Sequence, residues 1–355
     1  GVFLSGNGPL VEVLRGALES KTFVKDLHAF INTNGRSSRI PETHVVVFDE
    51  AQRAWDAAYM AHKKQIDASE PDLLVEIGER VPDWCALVGL VGEGQEIHAG
   101  EEAGIGQWAE AVREKATLDW QIHCPPRMAD EFVGLDVRPD SRLDLTVTLR
   151  SKRAERLHDW VRKLLEGNLA AAARIAQSVR GSAFPMYLTR DLAEGKKYIQ
   201  ERYAGDLEAR YGLIASSRTQ SFLPKFDVDT TWPSTKRVKY SDWYNNGPGE
   251  RGSGCNFESV VTEFGCQGLE LDMPLVAWGN DLSWDGRDWF AKKPTRGYPL
   301  TDPEQLRVNA YRVLLTRGRD GLVVFVPPSP LLDGTEMALL AAGLQPLPED
   351  LSIAI

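Results

Sequence analysis

Short apolar runs, separated by helical or polar stretches, recur from one end of this chain to the other. They stand at residues 2–4, 45–48, 86–91, 186–188, 213–215, 260–261, 275–277 and 322–326. Between them lie stretches with helical spacing, such as Leu10, Val13, Leu14, Ala17 and Leu18, which mark one face. Short, wholly apolar strands alternating with helices point to parallel sheets covered on both faces, because each crossover lays a helix on the sheet. The predicted class is α/β.

A length of 355 residues gives room for two domains, each with its own core. Hydrophobic content of 43% and charged content of 26% describe an ordinary globular protein. No apolar stretch approaches a membrane span, and the start lacks a secretory pattern. Cys85, Cys124, Cys255 and Cys266 fall in no metal-ligand spacing, so a reducing cytoplasm is the expected location. A net charge of −10 argues against a general nucleic-acid coat protein but leaves room for a local basic groove.

The stretch 136–141 is polar and interrupted by Pro139, and Leu143, Leu145, Val147 and Leu149 then alternate as a strand. The predicted domains are therefore 1–140 and 141–355. Residues 229–255, rich in Trp, Tyr, Asn, Pro and Gly, read as an irregular insertion in the second.

Several short strings carry candidate chemistry. Asp49 and Glu50 end the run 45–48, which puts both carboxylates at the carboxyl edge of a parallel sheet, where ligands bind in open α/β folds. One acid can hold Mg²⁺ while the next polarises water; alone, the pair also reads as a solvated turn. Gly92-Glu93-Gly94-Gln95 follows another apolar run, where Gln95 can sense a γ-phosphate or stand as an incidental loop residue. Arg150 falls at a strand-to-helix junction, a fitting place to contact phosphate. In the helix after it, Lys152, Arg156 and Lys163 oppose the apolar face and read first as a solvated face. Thr301-Asp302-Pro303-Glu304 is a capping box for a helix that delivers Arg317 and Arg319 just before the run 322–326. Two arginines spaced by glycine can place a guanidinium on transferring phosphate or cap helix carbonyls.

Residues 262–270 form a strand-to-loop segment whose Gly265 and Gly268 permit close backbone approach, with Gln267 and Glu270 as polar ends. In the irregular insertion, Trp232, Lys236, Arg237, Lys239, Tyr240, Trp243 and Tyr244 interleave rings with cations. That combination suits stacked bases beside phosphates, or equally a loop anchored by its own aromatics.

Together these strings resemble superfamily 1 helicases and, more narrowly, the schlafen group 3-like DNA/RNA helicase domain family. The resemblance rests on Val45 to Trp55 (VVVFDEAQRAW), Phe264 to Asp272 (FGCQGLELD) and Tyr311 to Arg319 (YRVLLTRGR). It implies two RecA-like domains, ATP with Mg²⁺, and single-stranded nucleic acid as partner, with no membrane. Carried over, Asp49 is the Mg²⁺-associated acid, Glu50 the water-activating acid and Gln95 the γ-phosphate sensor. Arg150 and Arg317 are the phosphate-contacting arginines, and Glu270 meets the nucleotide sugar. Gln52, Gly268 and Arg319 complete the nucleotide-binding set. Asn7, Pro9 and Thr262 lie on the nucleic-acid track, joined by Trp232 and Trp243.

One departure is serious. No G-x-x-x-x-G-K-[ST] loop occurs in the 355 residues, although such a loop's backbone N–H groups and lysine hold the triphosphate. The expectation is a fragment of a longer ATPase, of helicase or translocase type, that is inactive alone. The alternative is a non-hydrolysing nucleic-acid-binding module on the same fold.

Overall fold

A computed structural model describes residues 1–35, 40–92, 104–144, 152–181, 183–292 and 303–348. These separate into two compact units. The first holds residues 1–11, 18–35, 40–92 and 104–144; the second holds 12–17, 152–181, 183–292 and 303–348.

The chain begins with β1 (Val2–Ser5), α1 (Gly8–Ala17), β2 (Val24–Asp26), α2 (Leu27–Asn34) and β3 (Val45–Asp49). Then come α3 (Ala57–Lys64), α4 (Glu70–Gly78), β4 (Ala86–Gly89), α5 (Gly106–Lys115), β5 (Gln121–Cys124) and β6 (Asp136–Pro139). Four strands make a parallel sheet in the order β2-β1-β3-β4. Three valines and a phenylalanine fill β3, β-branched and aromatic residues that suit a pleated, packed strand. Leu4, Leu27, Phe48 and Trp108 lie together in the core beside this sheet. Helix α4 starts at a capping box: Ser69 and Asp72 each accept the other's backbone N–H, with Pro71 in the first turn.

In the second unit α6 (Lys152–Leu165) and α7 (Leu169–Arg180) form a helical hairpin, followed by β7 (Met186–Thr189), α8 (Leu192–Arg202) and β8 (Tyr211–Ala215). Short helices α9 (Trp232–Thr235) and α10 (Tyr240–Asn245) precede β9 (Val260–Thr262), α11 (Glu263–Cys266) and β10 (Met273–Ala277). The chain continues through β11 (Leu282–Trp284), β12 (Trp289–Ala291), α12 (Pro303–Leu315), β13 (Leu322–Phe325), α13 (Asp333–Ala341) and β14 (Gln345–Pro346). Six strands form a wholly parallel sheet in the order β14-β7-β13-β10-β8-β9. Its central strands β8, β10 and β13 are buried at every position, as strands covered on both faces must be. Parallel sheets flanked by helices are the architecture of RecA-like α/β domains, and the predicted fold class stands.

One local expectation changes. Within the polar stretch 136–141, Asp136–Pro139 pairs in parallel with β5, and Pro139 sits at the strand's end, where a missing N–H costs little. Leu143, read as the first residue of an alternating strand, closes a tight turn over Ser141–Leu143. The rest of that strand lies outside the described residues. The segment 229–255 is irregular as expected, with two short helices embedded in it.

Candidate nucleotide site and its surroundings

In the first unit β3 delivers Asp49 to the carboxyl edge of the sheet. Glu50 follows in the left-handed region, with φ 56° and ψ 48°. A non-glycine residue there carries strain of about 1–3 kcal/mol, which persists only when neighbours over-determine the turn. The neighbours here are numerous. Ala51 donates its N–H to the Leu90 carbonyl at 2.7 Å, extending the β3–β4 pairing past the turn. The indole of Trp108 donates to the Ala51 carbonyl at 2.7 Å, and the Gln107 amide donates to the Ala54 carbonyl at 2.7 Å. Glu70 accepts the Trp55 N–H at 2.9 Å and returns its own N–H to the Trp55 carbonyl at 3.0 Å.

The result is a fixed carboxylate. Gln52, itself buried, donates its side-chain amide to Glu50 Oε2 at 2.6 Å and accepts the Gly92 N–H on its Oε1 at 3.1 Å. One glutamine thus links the acid pair to the start of the glycine-bearing loop. Burial pushes the Asp49 carboxyl up to about 6, with the adjacent Glu50 charge adding and Arg53 opposing. Two acids at one edge, with excess negative charge, fit a hard cation such as Mg²⁺, which takes one or two carboxylates and completes its shell from phosphates and water. Among the described residues no group of three or more His, Cys, Asp or Glu gathers as a metal cluster.

Other expected site residues fall as follows. Gln95 and Arg150 lie outside the described residues. Asn7 accepts the Leu10 N–H at 3.4 Å, at the start of α1, and Pro9 occupies that helix's first turn. Thr262 ends β9 and is buried, as is Gln267. Gly268 has φ 76°, a conformation that glycine alone adopts cheaply. Glu270 is half-buried.

The sheet of the second unit brings the two late strings together. Arg317, expected to contact phosphate, is 1% exposed and bonded to carbonyl groups of its own unit. Its Nε donates to the Val313 carbonyl at 2.8 Å, and its Nη1 to Leu269 at 3.2 Å and Cys266 at 3.4 Å. Nη2 donates to Thr316 Oγ1 at 3.0 Å. It therefore caps the orphan carbonyls at the ends of α12 and α11. Arg319 is exposed and pairs with Asp272 at 2.8 Å.

The aromatic segment divides. Trp232 is 63% exposed, with Lys236 Nζ 5.8 Å from its ring centroid. Trp243, expected on the nucleic-acid track, is a core residue at 1% exposure. Its indole lies so close over Gly212 and Gly254 that an added Cβ would come within 2.4 and 2.6 Å of ring atoms. At 1% exposure the ring is closed to a stacking base.

Sequence reasoning missed a buried polar cluster at the carboxyl edge of this second sheet. Arg307 Nη1 meets Ser216 Oγ at 2.7 Å, Asp281 Oδ2 at 3.2 Å and Glu263 Oε1 at 3.3 Å. Glu263 accepts the Ser217 N–H at 2.7 Å and its hydroxyl at 2.8 Å. Asp281 accepts the Tyr311 hydroxyl at 2.7 Å. The only signal was the Arg307–Tyr311 spacing of four, one turn of α12. Glu70, Gln107 and Trp108 were missed too, because nothing local marks a residue that reaches a distant turn.

The fold is thus a parallel α/β architecture with an acid pair and a tethered glutamine at one carboxyl edge. The chain belongs to the Schlafen group 3, DNA/RNA helicase domain family, whose model matches residues 1–328. No curated protein matches the chain significantly. No helix among the described residues is long and apolar enough to cross a membrane.

Proposed function

We propose that this chain is the motor part of an ATP-dependent helicase or translocase acting on single-stranded nucleic acid, built as RecA-like domains at 1–140 and 141–355 and working in the cytoplasm. The observation that carries the reading is the Gln52 bridge between Glu50 and the Gly92 amide. A solvated Asp-Glu turn has no use for a strained backbone, a buried glutamine and three further clamps on the same turn.

In this reading Asp49 holds Mg²⁺ and Glu50 accepts a proton from the attacking water. Gln52 keeps the Glu50 carboxylate oriented, so that no reorganisation is needed at the moment of reaction. Bound Mg²⁺-ATP supplies the transferable phosphoryl group. Gln95 and Arg150 take the sensor and phosphate roles, Glu270 the sugar and Gly268 a close backbone approach. Trp232 offers a ring to a base, with Asn7, Pro9 and Thr262 along the strand's path.

The second reading, a binding module without hydrolysis, draws support from Arg317, whose guanidinium is already engaged by carbonyls. ATP hydrolysis measured with and without single-stranded RNA or DNA, in a protein that includes a phosphate loop, decides between them. Stimulated turnover that vanishes in Glu50→Gln supports the motor. Nucleic-acid binding with no turnover supports the module.

A further inference from the structure

We infer that the groove between α6 and α7 is a phosphate-binding site on the second unit. It measures about 390 Å³ and is lined by Arg156, Asp159 and Lys163 from one helix and Arg174, Ile175 and Ser178 from the other. The chain carries 51 acidic residues against 41 Lys and Arg. Some of the arginines find a carboxylate, among them Arg162, Arg190, Arg202 and Arg319.

Arg156 and Arg174 do not. Among the described residues Arg156 has only a 3.5 Å contact to the Ser178 carbonyl, and Arg174 has no ion pair. The single acid in the groove, Asp159, is offset by Arg162 at 2.9 Å, and Lys163 reaches Glu166 at 2.6 Å. Two exposed guanidinium groups without a carboxylate partner thus line one groove from opposite helices, an arrangement that a bound anion would stabilise.

Phosphate is the anion that fits. Each guanidinium presents a planar fork of donors matched to phosphate oxygens, and the exposed Ser178 hydroxyl is a further donor. The phosphate belongs to a nucleic-acid backbone or to a free phosphorylated molecule. The polymer assignment rests on the nucleic-acid reading above, whereas the anion site does not.

Fluorescence anisotropy with labelled single-stranded RNA and DNA of about 20 nucleotides, longer than one protein site, tests the inference. Arg156→Gln with Arg174→Gln should weaken binding at least tenfold. It should also flatten the salt dependence by about 1.4 in log–log slope, since two phosphate contacts are lost. Arg287→Gln, at a 92% exposed arginine paired with its neighbour Asp288, is the control and should do neither.

In a parallel arm, inorganic phosphate and ATP are titrated while the arginine Nε–Hε NMR signals are followed. Shifts confined to Arg156 and Arg174, without polymer binding, would assign the groove to a free phosphate and overturn the nucleic-acid reading alone. Polymer binding lost in Trp232→Ala but untouched in the double variant, with no arginine shifts, would overturn the groove and leave that reading standing. No response to any probe would overturn both.

Discussion

Gln52 holds Glu50 at 2.6 Å with one end of its amide and the Gly92 N–H at 3.1 Å with the other. A change at the glycine loop therefore reaches the Glu50 carboxylate through a single planar group. In a protein with a phosphate loop, Glu50→Gln should abolish turnover while sparing ATP binding, since the amide keeps the shape and loses the base. Gln52→Ala should lower kcat well before it raises KM, because orientation rather than ground-state binding is lost. Steady-state kinetics separates the two, and a Gln52→Ala enzyme with normal kcat would remove the bridge from the mechanism.

Residues 1–355 by themselves should hydrolyse ATP slowly or not at all. No G-x-x-x-x-G-K-[ST] string lies within them, and positioning supplies much of the catalysis in phosphoryl transfer. Phosphate release measured with Mg²⁺ and single-stranded nucleic acid checks this. Robust activity sensitive to Glu50→Gln would place the triphosphate on residues other than those named.

The two tryptophans of the irregular segment should part company. Trp243→Ala removes a fully buried indole and should cost about 3–5 kcal/mol of stability. Trp232→Ala should leave the urea midpoint unchanged and cost about 1–3 kcal/mol in single-strand affinity. Equal stability loss in both variants would mean that Trp232 also packs as core.

Arg317→Ala should destabilise the second unit by more than about 2 kcal/mol, because buried carbonyls at Val313 and Leu269 lose their donor. A residue held only for phosphate contact would lower turnover with the fold intact. Chemical denaturation of the variant, read with circular dichroism, distinguishes them.

Arg307→Met should cost about 3–5 kcal/mol near neutral pH, leaving Glu263 and Asp281 buried without their shared cation. Urea melts check this, and an Arg307→Met variant as stable as the wild type would show that the cation is not needed there.

Much of the architecture was legible in the residues. Leu275 to Ala277 and Leu322 to Phe325 announced parallel strands buried at every position, and Val45 to Phe48 announced one that is buried at alternate positions. Asp49 and Glu50 declared themselves by standing where such a strand ends. What could not be read was the use made of polar groups inside. Arg317 looks the same in sequence whether it meets a phosphate or the carbonyl of Leu269, and Trp243 looks the same above Gly212 as beside a base. Those choices depend on which distant backbone arrives alongside, as with Trp108 reaching Ala51.

The strand order of the second sheet has a consequence for biosynthesis. Strand β13 sits between β7 and β10, although more than a hundred residues separate β7 from it in the chain. While the polypeptide emerges from the ribosome, β7 and β10 each wait with an open, apolar edge for a strand that is made late. Loop closure over that distance is slow, and unpaired edges invite pairing with other chains in the meantime. A ribosome stalled before Leu322 would therefore hold a nascent chain in which β7 and β10 lack the strand that joins them.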